Sequence, residues 1–148
     1  MQSQMHGSWS RTFCGRIKSD LRYSAGIVYN NFPWPQLAAD DAGNKTRAAI
    51  ESAAQGVLDA RARFPDATLA DLYDPLTMPP ALVKAHQQLD RAVDAAYLAA
   101  EKAAGRKPPK LSTDAERVAF LFERYQALTS LLPTTKAKKP RKKKEPNA

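Results

Sequence analysis

The sequence predicts a mainly α fold: a short α/β stretch over residues 1–37, a small three-helix domain over 38–132 and a disordered basic tail over 133–148. Three observations carry this. Apolar residues recur at helical spacing through residues 44–132. Proline and glycine cut that region into three runs. The last sixteen residues are dominated by Lys, Arg and Pro, which cannot bury apolar surface.

Taken in order, the chain opens with a polar stretch and then a helix-compatible run from Ser8 to Arg16. Arg22 to Tyr29 follows; its aromatic and β-branched residues suit a strand or two. In Asn30-Asn31-Phe32-Pro33-Trp34-Pro35 the two prolines exclude both regular helix and central strand, so an extended segment is expected to leave this region. Ile50, Ala54, Val57 and Leu58 then lie at helical spacing, and Pro65 ends that helix. Thr68 and Asp71 have the spacing of a capping box on a short turn. Pro79 and Pro80 suit the first turn of the next helix, where a missing amide costs nothing. Its stripe is Leu82, Leu89, Val93 and Tyr97, flanked by Ala85 and Ala96, and Gly105 with Pro108 and Pro109 ends it. Thr113 and Glu116 form a second capping box, ahead of an apolar face of Val118, Leu121, Phe122, Tyr125, Leu128 and Leu132, which Pro133 stops. These stripes read as core that the helices share. The isolated chain is expected to be only marginally stable, with the helical region folded and residues 8–35 frayed.

Charge is unevenly placed. The net charge is +8, yet residues 36–132 hold twelve basic against thirteen acidic residues. The excess lies at the ends: four against one in residues 1–35, seven against one in 133–148. Such blocks attract phosphate by releasing condensed counterions, and they also serve as solubilising tails. No run of apolar residues is long enough to span a bilayer, and the polar N-terminus lacks the apolar core of a secretion signal. Cys14 is the sole cysteine, which rules out a disulfide framework and fits a reducing cytoplasm.

The chemistry for catalysis is thin. No glycine-rich turn between strand and helix offers itself to a nucleotide or adenosyl cofactor. Two histidines, His6 and His86, and one cysteine are too few for an ordinary zinc site. His86 has Asp90 one turn on and reads as a surface or packing histidine. Cys14 has no evident base and reads as a packed thiol. Asn31-Phe32-Pro33-Trp34 approaches the Asn-Pro-Pro-aromatic signature of enzymes that methylate exocyclic amines. Phe32 replaces the first proline, so the rigid turn that aims the backbone carbonyl is not specified, and a structural role is expected.

Long strings carry a resemblance. Cys14-Gly15-Arg16-Ile17-Lys18-Ser19-Asp20-Leu21-Arg22-Tyr23-Ser24, followed by Ile27-Val28-Tyr29-Asn30-Asn31-Phe32-Pro33-Trp34-Pro35, resembles the end of the target-recognition domain of MmeI-like DNA methyltransferases. Leu69-Ala70-Asp71-Leu72-Tyr73-Asp74-Pro75-Leu76-Thr77-Met78-Pro79-Pro80, Ala85-His86-Gln87-Gln88-Leu89-Asp90 and Glu116-Arg117-Val118-Ala119-Phe120-Leu121-Phe122 resemble that family's C-terminal helical domain. The resemblance runs from about Met5 to Leu128. It implies membership of bacterial restriction-modification systems, methylation of adenine on its exocyclic amine with S-adenosylmethionine, and in some members a fused N-terminal nuclease. It also implies that the cofactor and catalytic motifs lie upstream of the part represented here, so that this chain binds no cofactor and does not catalyse.

Double-stranded DNA is then the expected partner, together with an upstream methyltransferase polypeptide. Arg16, Lys18 and Arg22 alternate along one side of the expected strand with Tyr23 beside them, placed for DNA backbone or base edges. In the tail, from Lys136 onward, Lys138, Lys139, Arg141, Lys142, Lys143 and Lys144 are candidates for phosphate contact. Phe32, Pro33, Trp34 and Pro35 are expected to act as a stiff packing strap onto the helical domain. The residues alone leave two other functions open: a stand-alone small basic DNA-binding protein and a helical protein-binding adaptor.

Overall fold

The computed structural model describes residues 3–18 and 20–130, so the tail expected to be disordered lies outside the described residues. The elements run α1 (Gln4–Phe13), β1 (Gly15–Ile17), β2 (Asp20–Arg22), a π-helical turn (Ala25–Tyr29), α2 (Asp41–Ala62), α3 (Leu69–Leu72), α4 (Pro80–Ala103) and α5 (Asp114–Thr129). The fold is mainly helical, as predicted, with a two-stranded sheet near the N-terminus.

The N-terminal elements correct two expectations. Helix α1 starts earlier and stops sooner than the Ser8–Arg16 run. Ser3 caps it by accepting from the His6 amide, and Met5 and Trp9, one turn apart, put their shared face into the core. That burial outweighs the roughly 1 kcal/mol that Gly7 costs in a helix interior. Cys14 then turns extended (ψ 141°) and leads into β1. The second correction concerns Arg22–Tyr29, where only Arg22 is in a strand. Ala25–Tyr29 instead closes a π-turn, with the Asn30 amide bonded to the Ala25 carbonyl at 2.9 Å. Its β-branched residues divide: Val28 is fully buried while Ile27 is 57% exposed. A strand would have sent Val28 and Tyr29 to opposite faces of a sheet; here the Trp9 indole donates to the Val28 carbonyl at 3.1 Å and fixes the turn on α1.

The helical half follows its signals. Asp40 caps α2 by accepting from Gly43 N at 2.8 Å, and both predicted capping boxes, Thr68 with Asp71 and Thr113 with Glu116, are formed in both directions. Pro80 occupies the first position of α4. Gly105, at φ 67°, terminates α4: Arg106 N bonds to Glu101 O at 2.9 Å and Gly105 N to Lys102 O at 3.0 Å, the paired geometry that an αL residue makes possible. Helices α2 and α4 pack along one another, enclosing Val57, Ala60, Leu72, Leu82, Ala85 and Leu89. Leu58, placed by periodicity in that stripe, is instead 51% exposed.

A second core joins the two halves of the sequence. Met5, Trp9, Val28 and Phe32 meet Tyr97 of α4 and Phe120 and Leu121 of α5, with Val93 touching both cores. Burying each such side chain is worth about 1.5–3 kcal/mol. Helix α5 is rotated from its expected face: Phe120 and Leu121 are buried, whereas Phe122 and Leu128 are 42% and 54% exposed. The rotation buries Arg117, whose guanidinium reaches Asp94 of α4 at 2.7 Å. The Ser8 hydroxyl and Arg11 guanidinium of α1 both bind Asp114, at 2.8 and 2.7 Å, so the start of α5 is tied to α1. The segment expected to fray is thus divided. Helix α1, Val28 and Phe32 are built into a core, while every described ribbon residue is exposed.

Candidate nucleic-acid interface

The ribbon places the basic residues that sequence reading singled out. Gly15 pairs with Arg22, Arg16 with Leu21 and Ile17 with Asp20 in antiparallel register. Paired residues share a face and neighbours alternate, so Arg16 and Leu21 lie on one face and Arg22, Asp20 and Ile17 on the other. The expectation that Arg16, Lys18 and Arg22 line one side is therefore corrected. A single strand was assumed, but the chain reverses between Ile17 and Asp20, and the reversal moves Arg22 to the opposite face. Lys18 sits in that reversal at φ 58°, a conformation costing a non-glycine residue roughly 1 kcal/mol. Arg16, Lys18 and Arg22 are all exposed. A basic two-stranded ribbon with a tight end is one of the two shapes that the major groove admits.

His6, which sequence reading passed over, holds the ribbon's exit. Its Nε2 lies 3.1 Å from the Tyr23 hydroxyl, and its ring is surrounded by Tyr23, Phe32 and Trp34 at centroid distances of 5.8, 4.7 and 6.3 Å. Only 4% of His6 is exposed, and burial lowers its pKa, which keeps the ring neutral at physiological pH. Tyr23 thus works at this junction as well as standing beside the basic residues. No spacing rule marks His6; its neighbours come from the ribbon's exit and the strap, which only the fold brings to α1.

The strap residues take distinct positions. Phe32 is buried in the core that joins the halves, edge-on to Trp34 at 4.8 Å. Pro33 is buried, and its carbonyl accepts from the Tyr97 hydroxyl at 2.9 Å. Burial drives the Tyr97 pKa far up, so that hydroxyl remains a donor. Pro35 is half-buried, and Trp34 is 48% exposed with Tyr29 edge-on at 5.5 Å. The Asn31 side-chain Nδ2 donates to the Gly26 and Ile27 carbonyls at 3.1 and 3.0 Å, which pins this side chain to the π-turn.

Away from the ribbon, Nε2 of His86 meets the Tyr73 hydroxyl at 2.8 Å and fastens α3 to α4; Cys14 is half-buried against the joining core. Among the described residues, no three His, Cys, Asp or Glu side chains gather as a metal site would require, and no helix is long and apolar enough to cross a membrane. Lys138, Lys139, Arg141, Lys142, Lys143 and Lys144 lie outside the described residues.

Comparison with known proteins agrees with this architecture. Residues 1–36 match the model for the MmeI target recognition domain, and residues 42–133 match that for the MmeI C-terminal domain. DNA methyltransferase A of Bacillus subtilis (strain 168) is 38% identical over 129 residues, 87% of this chain and 13% of that protein. The type IIL restriction-modification enzyme MmeI, solved in complex with DNA, superposes with a TM-score of 0.73 at 49% identity, over 87% of this chain and 15% of that one. The chain spans about an eighth of the length of the curated relative. It belongs to the MmeI family of restriction-modification DNA methyltransferases, with one segment matching the target recognition domain and the rest the C-terminal domain.

Proposed function

We propose that this chain is the DNA-contacting and scaffolding part of an S-adenosylmethionine-dependent methyltransferase acting on the exocyclic amine of adenine, and that it performs no methyl transfer itself. In this reading the ribbon presents Arg16, Lys18 and Arg22 to duplex DNA. Helices α1, α4 and α5 hold the ribbon, and an upstream methyltransferase polypeptide works beside it in the cytoplasm. The observation that carries the reading is a wholly exposed basic ribbon on the segment matched by a target recognition domain. The relative solved with DNA bound adds to it.

The apolar cavity beside the strap is a poor match for the sulfonium cofactor. Its ribose diol and amino-acid group call for carboxylate and backbone partners. This cavity, about 320 Å³ between α1, the strap, α2 and α4, has no carboxylate in its lining, and its Tyr97 hydroxyl is spent on Pro33.

The test is anisotropy of a labelled duplex titrated with the chain over a range of salt. Removing one phosphate-binding side chain, as in Arg16→Ala or Arg22→Ala, is expected to reduce the log–log salt slope by ~0.9. Unchanged slopes in both variants would overturn the DNA-contact reading. Incubation of DNA with labelled methyl donor should leave it unlabelled; labelling by the purified chain would overturn the non-catalytic one.

A further inference from the structure

Beyond the ribbon, the strap forms one wall of a second cavity, of about 190 Å³. Trp34 and Gln36 line it from the strap, Tyr97 and Glu101 from α4, Arg124 from α5 and Arg106 from the α4–α5 loop. The Glu101 carboxylate is 4% exposed and bound on both oxygens: Arg106 donates through Nε at 2.6 Å and a terminal nitrogen at 2.8 Å, and Arg124 through a terminal nitrogen at 3.3 Å. Two guanidiniums thus share one carboxylate, and no other acid lines the cavity. Both guanidiniums also line the adjoining cavity, and over the two cavities Arg106, Lys107, Lys110 and Arg124 outnumber Glu101, Glu116 and Glu123 by one, an excess of positive charge in partly buried surroundings, where an anion is held more strongly than in water. The Arg124 Nε is buried and has no partner among the described residues, whereas Arg106 remains 41% exposed on its side chain. The half-exposed Trp34 indole shares the cavity with them. Guanidinium donors beside an accessible indole are the pairing that binds a phosphate and supports the base attached to it.

We propose that this cavity is a nucleotide-phosphate site, in which Arg124 and Arg106 hold the oxyanion and Trp34 carries the adjoining nucleoside. It lies on the strap–α4–α5 junction rather than on the ribbon, and rests on the DNA reading only for the source of the phosphate.

The experiment reads tryptophan emission. The two tryptophans differ sharply in exposure, Trp9 at 2% and Trp34 at 48%, so ligand-dependent quenching reports Trp34, and its loss in Trp34→Phe verifies the origin. The chain is titrated with deoxyadenosine 5′-monophosphate, with deoxyadenosine lacking the phosphate, and with a short single-stranded oligonucleotide. Saturable quenching by the monophosphate but not the nucleoside, weakened about tenfold or more in Arg124→Gln, supports the site. Arg106 keeps both of its bonds to Glu101 in that variant, and urea unfolding confirms that it remains folded. Equal responses to nucleotide and nucleoside, or an unchanged affinity in folded Arg124→Gln, overturn it. Tighter binding of the oligonucleotide than of the monophosphate assigns the site to a DNA strand; equal binding assigns it to free nucleotide. Duplex binding through Arg16 and Arg22 with no response to the monophosphate refutes this site and leaves the ribbon reading intact.

Discussion

Two glycines in one helix should respond oppositely to the same substitution. Helix α2 contains Gly43 in its first turn and Gly56 in its interior. A Cβ at Gly56 would meet nothing within 4 Å, so Gly56→Ala gains the ordinary helix preference of alanine, roughly 1 kcal/mol. A Cβ at Gly43 would stand 1.9 Å from the Ala38 carbonyl oxygen and 2.9 Å from its carbon, which are backbone atoms where the strap runs into α2. They cannot swing aside as a side chain would. Overpacking costs about 1–3 kcal/mol, and displacing Ala38 also strains the Asp40 cap on the Gly43 amide, itself worth about 1 kcal/mol. Against the propensity gain, Gly43→Ala should come out destabilised by about 1–3 kcal/mol. With a urea m-value of about 2 kcal/mol/M, a loss of about 2 kcal/mol moves the midpoint down by roughly 1 M, while Gly56→Ala moves it up by roughly 0.5 M. If both variants shift upward by similar amounts, the Ala38 backbone does not pack against Gly43 and the argument fails.

Other outcomes follow from the cores and the charges. Trp9→Ala removes the side chain that joins α1, the π-turn and α5; a loss of about 3–5 kcal/mol is expected by urea unfolding, with faster hydrogen exchange concentrated in residues 4–30. Glu101→Gln tests a pH dependence whose sign is fixed. Hydrogen bonding by Arg106 holds the folded Glu101 pKa below its ordinary value, so its contribution is complete above the ordinary glutamate range and fades as pH falls through the depressed folded value. The stability gap between wild type and variant should therefore be flat near pH 7 and narrow on acidification; a gap that widens in acid contradicts the ion cluster. Removing residues 134–148 should weaken binding to all duplexes alike and lower the salt slope, since tail lysines contribute affinity without sequence information. Diminished discrimination between DNA sequences would assign the tail a different role.

The helical half was legible in the sequence because its signals are local. Thr68 with Asp71, Thr113 with Glu116, Pro80 at a helix start and Gly105 past a helix end each act within one turn, so a few residues suffice to read them. The same locality explains the errors. Leu58 belongs to the apolar stripe by spacing but lies beside the strap-lined cavity instead of the α2–α4 seam. On α5 the periodic face gave way to Phe120 and Arg117, whose partners Tyr97 and Asp94 on α4 each lie 23 residues away and outside any local window. Composition favoured strands over Arg22–Tyr29, but the bond from Trp9 to the Val28 carbonyl decided the matter, and no window around Val28 contains Trp9's indole.

The candidate site divides along the same line. Residue type together with the family resemblance singled out Arg16, Lys18 and Arg22 as candidates, but their arrangement depends on a chain reversal between Ile17 and Asp20 that residue type does not specify. The register constrains the proposed contact with DNA. Arg16 and Arg22 on opposite faces of one ribbon cannot both lie flat on a single backbone. A ribbon that enters the groove edge-on, with one arginine toward each wall, satisfies both. The His6–Tyr23 bond and the Trp9–Val28 bond then have a purpose beyond stability. They brace the exit of an otherwise unsupported two-stranded element, a structure that is marginal in water by itself, so that its angle to the helical domain is set.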